Sequence, residues 1–180
     1  IVFLRLKYNI DKNILSKNST LKIIVSPTTG LNHIDISILK KKKIKIINLK
    51  NEFRFLKSVT ATAEHTWGLL LSLYRRIPSS FEHVKKNQWN RDLFWGNELK
   101  NKVIGIIGYG RLGKIVANYA TSFHLNIKVC DIKKTKNCSF DQLSLEKILK
   151  ISDIITLHIT SSLKNKNLIG KKELSLMKSE

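Results

Sequence analysis

Residues Val103–Gly113 read VIGIIGYGRLG, an apolar run that passes directly into the spacing Gly-x-Gly-x-x-Gly. The apolar run is typical of a strand buried in a parallel sheet. Gly108 permits a tight turn out of that strand, Gly110 allows the backbone to approach a pyrophosphate, and Gly113 lets the next helix pack close to the sheet. Phosphates then lie at a helix N-terminus, where free N–H groups and the helix dipole favour anions. The stretch therefore predicts a strand, turn and helix that hold a dinucleotide.

The sequence that follows the glycines supports this prediction. Apolar residues recur at helical spacing over Leu112–Phe123, and a second strand, Ile127–Cys130, ends at Asp131, 18 residues after the last glycine. An acidic side chain at that place can accept hydrogen bonds from the adenosine ribose and repels a 2′-phosphate, which favours NAD over NADP. Lys133 and Lys134 lie nearby and argue in the opposite direction. The alternative is a turn that merely tolerates glycine, but it does not explain why strand, glycines, helix, strand and acid occur in this order.

Strand and helix patterns alternate along most of the chain, which implies parallel sheets joined by right-handed crossovers. Strands are predicted over residues 1–6, 21–25, 44–48, 103–107, 127–130 and 154–159, and helices over 11–16, 34–42, 61–77, 112–123, 143–149 and 171–177. Residues 51–58 are predicted to be a polar connection and residues 79–102 to be irregular, with Trp89, Phe94 and Trp95 among charged residues. The predicted fold class is α/β, with a Rossmann-type doubly wound parallel sheet around the glycine motif.

The helix over about 61–77 is the longest of these, and Pro78 is expected to end it. Its apolar residues, which include Trp67, Leu70 and Leu71, lie nearly all round the helix. Such a helix is buried on most sides, which suits a position between two domains.

The formal net charge of +20 raises the alternative of a nucleic-acid or anionic-membrane partner. Lysine, asparagine and isoleucine are, however, enriched throughout the chain, which a compositional bias explains without a binding face. The dense basic run Lys40–Lys43 lies where a helix is predicted to end, and cations there complement the helix dipole. No aromatic residues interleave with this run, as a single-strand binder needs. We therefore expect no nucleic-acid partner.

The two cysteines, Cys130 and Cys138, form no CxxC pair, which argues against a disulfide framework or a zinc site and fits a reducing compartment. We expect a cytoplasmic protein without a bound metal. No stretch is apolar over enough residues to span a bilayer, so no membrane partner is expected. The chain begins at Ile1 and runs past Met177 without a helix stop signal, and we expect it to be a piece of a longer protein.

Further segments carry a family resemblance: residues 27–35 (PTTGLNHID), 61–66 (ATAEHT), 96–99 (GNEL), 102–105 (KVIG), 153–158 (DIITLH) and 168–170 (LIG). In this order they resemble the NAD-dependent D-isomer-specific 2-hydroxyacid dehydrogenases, the family that includes D-3-phosphoglycerate dehydrogenase. The resemblance covers nearly all of the chain and is more specific than the glycine triplet.

The resemblance implies two domains. A partial, flavodoxin-like βα substrate domain would comprise residues 1–60, residues 61–78 would form an interdomain helix, and residues 79–180 would form a C-terminally incomplete NAD-binding domain. The active site would lie in the cleft between the domains. The resemblance also implies a homodimer, with the nucleotide domains and the region Trp89–Trp95 in the interface.

The resemblance also assigns roles to individual residues. Thr29 and Gly30 match the loop whose N–H groups hold the substrate carboxylate, and Thr62 matches the hinge beside the nicotinamide. The remaining cofactor positions match the pyrophosphate turn, the ribose ligand and the adenosine side: Gly108, Tyr109, Gly110, Arg111, Leu112, Gly113, Asp131, His158 and Thr160. The family usually has proline at the position of Thr160, so the shape of the loop there stays open. Ser26–Thr29 departs from the family's commoner Arg-x-Gly-x pattern, so phosphoglycerate as the substrate stays open.

The family's chemistry uses a histidine as general acid/base, a carboxylate that orients it and an arginine that polarises the substrate. In the family all three lie C-terminal to the last residue of this chain, and neither His33 nor His65 matches them. We therefore expect no catalytic residue and no turnover from these 180 residues alone. The implied function is hydride transfer between NAD and a small D-2-hydroxy acid or its 2-keto form, with 3-phosphoglycerate one candidate. The alternative is a non-enzymatic NAD-sensing protein on the same fold, as the C-terminal-binding-protein corepressors are.

Overall fold

A computed structural model describes residues 1–17, 20–135, 138–162 and 165–179. The chain divides into two compact units. The first comprises Ile1–Ser58 and Thr160–Lys166, and the second comprises Val59–Ile159 and Asn167–Glu180. Among the described residues, no helix combines the length and the apolar character that crossing a membrane requires.

The first unit is built on a parallel sheet. Over the described residues the strand order is β1-β2-β3, with β1 at Val2–Phe3, β2 at Ile23–Ser26 and β3 at Lys45–Asn48. The helices are α1 (Lys12–Lys17), α2 (Ile36–Lys41) and α3 (Phe53–Lys57). Asp35 fixes the start of α2, because its Oδ1 accepts hydrogen bonds from the N–H groups of Ser37 and Ile38. The core consists of buried aliphatic side chains: Leu4, Ile10, Leu15, Ile24, Ile34, Leu39 and Ile44.

The second unit holds a larger parallel sheet, in which the described strands have the order β6-β5-β4-β7. The strands are β4 (Val103–Ile107), β5 (Asn126–Cys130), β6 (Asp141–Gln142) and β7 (Ile154–Leu157). The helices are α4 (Ala61–Tyr74), α5 (Ile77–Lys85), α6 (Arg111–Ser122), α7 (Leu145–Ile151) and α8 (Lys171–Leu174). Because β4 pairs with both β5 and β7, the glycine turn that follows it lies at the middle of the sheet's carboxyl edge.

Helices cover both faces of this sheet. On one face, Ile106 of β4 lies in a buried cluster with Val116 of α6 and Trp67 of α4. On the other face, Ile107 lies in a second cluster with Ile148 of α7. A parallel sheet with helices on both faces is the doubly wound α/β arrangement, so the predicted fold class is confirmed.

The helix predicted over 61–77 is two helices in the structure. α4 ends at Tyr74, Arg76 adopts a left-handed φ of 52°, and α5 begins at Ile77 with Pro78 in its first turn. The prediction that Pro78 ends a helix was therefore wrong. A proline is tolerated in a first turn, because the N–H it lacks would have no helical partner and its fixed φ suits the helix.

The predicted burial of this helix was also wrong. Ala63 and Trp67 are buried, whereas Leu69 and Leu73 are exposed. The apolar residues lie all round α4, but the sheet and α6 cover one side of it within this unit.

Other differences concern short elements. α3 lies in the stretch predicted to be a polar connection, and α5 and a 3₁₀ turn at Arg91–Phe94 lie in the stretch predicted to be irregular. β6 was not predicted, because two residues are too few to show an alternating pattern. The remaining strands and helices begin and end within a few residues of their predicted positions, as the weak sequence signals at element ends lead one to expect.

Candidate cofactor site

The glycine turn, defined here as residues Gly108–Gly113, leads from β4 into α6. Gly108 has φ 93°, and a Cβ built on it would lie 2.5 Å from the carbonyl oxygen of His158. A Cβ on Gly113 would overlap the carbonyl oxygen of Gly108. A Cβ on Gly110 would meet no atom within 4 Å. The fold therefore requires glycine at positions 108 and 113, whereas Gly110 leaves open space outside the turn.

That open space lies at the N-terminus of α6. Gly110 is the N-cap residue of α6, and it supplies no side-chain acceptor to the first turn. The N–H groups of a first helical turn have no acceptor within the helix, and the helix dipole adds partial positive charge. Open space beside an uncapped helix end fits a pyrophosphate, the anion that the sequence predicts here.

Asp131 lies beside the glycine turn, directly after β5. Its Oδ2 accepts a hydrogen bond from the N–H of Tyr109 at 2.8 Å, and its Oδ1 accepts one from the N–H of Lys133 at 3.0 Å. Each carboxylate oxygen can accept a second hydrogen bond, so both retain capacity for ribose hydroxyls. Sequence reasoning found this acid but missed its bond to the turn, because spacing alone does not show which N–H a carboxylate accepts from. Asp131 therefore both fixes the turn and offers an acceptor beside it.

The side chain of Tyr109 packs next to the loop that follows β5. Its ring meets the ring of Phe140 edge to face, with 6.2 Å between centroids. The pKa of the Tyr109 phenol is raised above its ordinary value, mainly by burial. A hydrogen bond with Cys138 raises it further. The phenol therefore stays protonated at neutral pH and adds no negative charge near a pyrophosphate.

Arg111 and Leu112 form the first turn of α6. Arg111 Nη1 donates a hydrogen bond to the carbonyl oxygen of Val59 at 2.8 Å, which ties the start of α6 to the segment that leads into α4. Leu112 is half-buried. The bond to Val59 is a contact that sequence reasoning did not predict, because the two residues are 52 positions apart.

His158 follows β7, on the other side of β4 from Asp131. Its N–H donates to the carbonyl oxygen of Ile107 at 2.8 Å, and its Nε2 lies 2.9 Å from Thr156 Oγ1. Burial lowers the pKa of the imidazole below its ordinary value of 6.5, so the ring is neutral at pH 7. The structure thus brings His158, the glycine turn and Asp131 together at one edge of the sheet in the second unit.

The stability of the second unit is expected to fall as the pH is lowered from 7 to 5. The unfolded chain protonates His158 near pH 6.5, whereas the folded chain takes up that proton only at lower pH, so protons favour unfolding across this window. His158→Asn removes the titrating ring and is expected to flatten the dependence of the thermal midpoint on pH. The check is a set of thermal melts of both proteins at pH 7, 6 and 5, and an equal fall in both would contradict this role for His158.

Thr62 and Thr160 were predicted to contact the cofactor. Thr62 is exposed in the first turn of α4, and its carbonyl oxygen accepts a hydrogen bond from Thr66 Oγ1 at 2.9 Å. Thr160 belongs to the first unit, and its carbonyl oxygen accepts a hydrogen bond from Asn165 Nδ2 at 2.7 Å. No hydrogen bond among the described residues of the second unit joins the Thr62 side chain to the glycine turn, and the cofactor contacts of Thr62 and Thr160 stay predictions.

Thr29 and Gly30, predicted to hold a substrate carboxylate, lie in the loop after β2 of the first unit. Thr28 Oγ1 donates its proton to the carbonyl oxygen of Gly30 at 2.7 Å, so it can only accept from the Ser26 hydroxyl, 2.8 Å away. Ser26 Oγ must then accept from His33 Nε2 at 3.3 Å, which makes Nε2 the protonated nitrogen. The buried Nδ1 of His33 is left as an acceptor without a partner in the described part of the chain.

This chain of hydrogen bonds turns the carbonyl group of Gly30 toward Thr28. In a trans peptide the next N–H group, that of Leu31, lies on the opposite side. Over the described residues, the N–H groups of Thr29, Gly30 and Leu31 donate to no protein acceptor. Consecutive unpaired N–H groups in a short loop suit an anion such as a carboxylate.

The geometry of the second unit defines its class. A parallel sheet, a glycine turn with open space at a helix N-terminus and an acid at the end of the next strand together form a dinucleotide-binding unit of the Rossmann class. In the part of the chain that the structure describes, no group of three or more histidine, cysteine or acidic side chains could hold a metal ion. Residues 67–180, more than half of the chain, match the family model for D-isomer specific 2-hydroxyacid dehydrogenase, NAD binding domain. The chain belongs to this family, and the matched residues are its NAD-binding domain.

Comparison with individual proteins agrees with this assignment. The chain is 31% identical to D-3-phosphoglycerate dehydrogenase of Bacillus subtilis, over 94% of this chain and 32% of that protein. It is also 31% identical to glyoxylate reductase of Thermococcus litoralis, over 94% of this chain and 53% of that protein. The structure of D-lactate dehydrogenase from Aquifex aeolicus, complexed with NAD and lactic acid, superposes with a TM-score of 0.86 at 30% identity and covers 98% of this chain and 53% of that one. The chain therefore spans about a third to about half of the length of these relatives.

Proposed function

We propose that this chain is the cofactor-binding part of an oxidoreductase that transfers hydride between NAD and a small D-2-hydroxy acid or its 2-keto form. The observation that carries the proposal is the Asp131 carboxylate, held by the N–H of Tyr109 beside the open space at Gly110. The α6 N-terminus binds the pyrophosphate, and Asp131 orients the ribose and disfavours a 2′-phosphate. The nicotinamide, when bound, supplies the hydride donor or acceptor.

The first unit contributes the features expected on the side that binds the acid. The unpaired N–H groups of residues 29–31 suit the carboxylate of a 2-hydroxy acid. A cavity of about 600 Å³ in the same unit is lined by Arg5, Lys7 and Thr28, among others, and its two cations favour an anionic substrate. The relatives are named for 3-phosphoglycerate and glyoxylate, so we propose a small hydroxy or keto acid as substrate, with 3-phosphoglycerate one candidate.

Reduction of a keto acid also needs a proton donor for the developing alkoxide. His33, His83 and His158 are each engaged by a neighbouring polar group of the protein. No histidine of this chain matches the family's general acid. We therefore expect these 180 residues to bind NADH without turning over an acid substrate.

Isothermal titration of the folded chain with NADH and with NADPH tests the proposal. NADH is expected to bind at least about tenfold more tightly, because a 2′-phosphate would meet the carboxylate of Asp131. A folded chain that binds neither, or that prefers NADPH, contradicts the proposal. Formation of NADH from NAD and D-lactate or 3-phosphoglycerate in the same sample would contradict the expected inactivity. A full-length protein that binds NADH but oxidises no 2-hydroxy acid would point to an NAD-sensing role instead.

We further propose that the full protein is a cytoplasmic homodimer, joined through the second unit. Trp89 and Trp95 are 86% and 75% exposed. Phe81, Val84 and Trp89 also line a cavity of about 520 Å³. Monomers rarely leave large apolar side chains clustered in water, which supports self-association through this surface. Both cysteines of the chain are free thiols, as a reducing cytoplasm favours.

Trp89→Glu is expected to convert the dimer into a monomer. An unpaired carboxylate in an apolar interface lowers the stability of that interface by about 3–5 kcal/mol, which is roughly a hundredfold to several thousandfold in the dissociation constant. The measurement is light scattering after size-exclusion chromatography at matched protein concentrations. Leu174→Glu is the control, since Leu174 is similarly apolar and 59% exposed but lies outside this surface, and it should leave the dimer intact. A wild-type protein that is monomeric would contradict the proposal.

A further inference from the structure

The loop at residues 131–135, between β5 and β6, carries opposite charges where a Rossmann unit meets the ribose. Asp131 suits a free 2′-hydroxyl, whereas Lys133 and Lys134 suit a 2′-phosphate. Ile132 is fully exposed, and so are the two lysine side chains in large part, so packing into the core does not hold this loop. Its position must depend on hydrogen bonds.

Gln142 of β6 supplies those hydrogen bonds. Its Nε2 donates to the carbonyl oxygens of Asp131 at 3.2 Å and Lys133 at 2.7 Å. Its Oε1 accepts from the N–H of Thr135 at 3.1 Å. The amide can take only this orientation, because both partners of Nε2 are acceptors and the partner of Oε1 is a donor. One half-buried side chain therefore holds three backbone groups of a five-residue loop.

The strand that carries Gln142 is anchored independently of this loop. Gln142 pairs in parallel register with Val129 of β5. Its neighbour Asp141 forms an ion pair with Lys128, with 2.5 Å between Lys128 Nζ and Asp141 Oδ2, but the Asp141 side chain is largely exposed and this pair adds little to the strand pairing. The amide of Gln142 is thus a fixed point against which the loop is positioned.

The hydrogen bonds continue from Gln142 to the glycine turn. Lys133 is held at both ends of its backbone, since its carbonyl accepts from Gln142 and its N–H donates to Oδ1 of Asp131. Oδ2 of Asp131 accepts from the N–H of Tyr109. A change at Gln142 is therefore passed through the Lys133 backbone to the carboxylate that meets the ribose.

We propose that Gln142 is a positioning residue that determines cofactor specificity: its three hydrogen bonds to the loop keep Asp131, and not Lys133 or Lys134, at the ribose and so favour NAD over NADP. This inference rests on the proposed cofactor site. Without the amide, the loop loses three hydrogen bonds and the Asp131 carboxylate keeps only its bonds to the N–H groups of Tyr109 and Lys133, so Lys133 can shift with the loop and the lysine side chains can approach a 2′-phosphate.

The test is titration of wild type and Gln142→Leu with NADH and with NADPH, together with thermal melts. Leucine has similar volume but no hydrogen-bonding group. We expect the dissociation constant for NADH to rise about five- to tenfold and that for NADPH to change less than about twofold, so the preference for NADH falls by about five- to tenfold. Asp141→Asn is the control, because it weakens the ion pair on the same short strand but leaves the Gln142 amide in place. It should leave the ratio of the two constants within about twofold of wild type.

Several outcomes would overturn the inference. If both constants rise together in Gln142→Leu, or if Asp141→Asn changes the ratio as much, Gln142 only supports the fold. If Gln142→Leu does not fold, amide hydrogen exchange of wild type decides, since Thr135 must be protected when Gln142 holds it and rapid exchange there overturns the inference. If wild type binds neither nucleotide, both Asp131 and Gln142 lose their proposed cofactor role. If wild type binds but Gln142→Leu leaves the ratio of the NADH and NADPH dissociation constants unchanged, only the role of Gln142 is removed.

Discussion

Gly110→Val is expected to abolish measurable NADH binding by a chain that remains folded. A Cβ at this position meets no protein atom within 4 Å, and φ is −82°, which any L-residue adopts. The added side chain instead fills the space at the α6 N-terminus and keeps a pyrophosphate from the N–H groups of the first turn. Loss of two charge-assisted hydrogen bonds weakens binding by roughly a hundredfold or more.

Gly113→Ala, in the same turn, is expected to lower stability, whereas Gly110→Val lowers cofactor binding. A Cβ at position 113 would overlap the carbonyl oxygen of Gly108, which is backbone and cannot move without displacing α6 from the sheet. We expect a loss of about 2–4 kcal/mol in the free energy of unfolding, as for an overpacked core position in a rigid surrounding. Circular dichroism melts of both variants, followed by titration with NADH, separate the two effects. Gly110→Val that melts much below wild type, or that still binds NADH tightly, would contradict the assignment of the open space to the pyrophosphate.

The glycine turn shows how far a sequence can predict this site. The spacing of Gly108, Gly110 and Gly113 predicts the turn because the fold leaves no room for a Cβ at Gly108 and Gly113, whereas Gly110 keeps space open for a pyrophosphate. Asp131 could be predicted for a similar reason, since the carboxyl ends of parallel strands meet at one edge of a sheet. These are local or topological constraints, and they do not depend on the details of packing.

Contacts between side chains and distant backbone groups could not be predicted in this way. The bond from the Tyr109 N–H to Asp131, that from Arg111 to Val59 and the three bonds of Gln142 all join residues that only the folded sheet brings together. Pro78 shows a second limit of prediction from sequence. A proline can end a helix, but it also suits the first turn of a new helix, as it does in α5. Whether Pro78 ends one helix or begins another depends on the left-handed conformation of Arg76, for which the sequence has no strong signal.

Asp131→Ala is expected to weaken NADH binding by about a hundredfold and to lower the stability of the second unit. The substitution removes an acceptor for the ribose hydroxyls, and it also leaves the N–H of Tyr109 without its partner. A half-buried N–H left unpaired lowers stability by about 1–3 kcal/mol, so the melt should shift even without cofactor. A carboxylate that acted on the ribose alone would leave the melt of the free chain unchanged.

Asp131→Asn separates the two parts of this effect. Its amide oxygen can still accept from the Tyr109 N–H, so the melt should stay close to that of wild type. The negative charge is gone, so NADH binding should weaken by only about tenfold and the discrimination against NADPH should largely disappear. Titration of both variants with NADH and NADPH, beside melts of the free proteins, checks each part. Tight NADH binding by Asp131→Ala, or retained discrimination in Asp131→Asn, would show that another group reads the ribose, and Lys133 and Lys134 would then be the residues to substitute next.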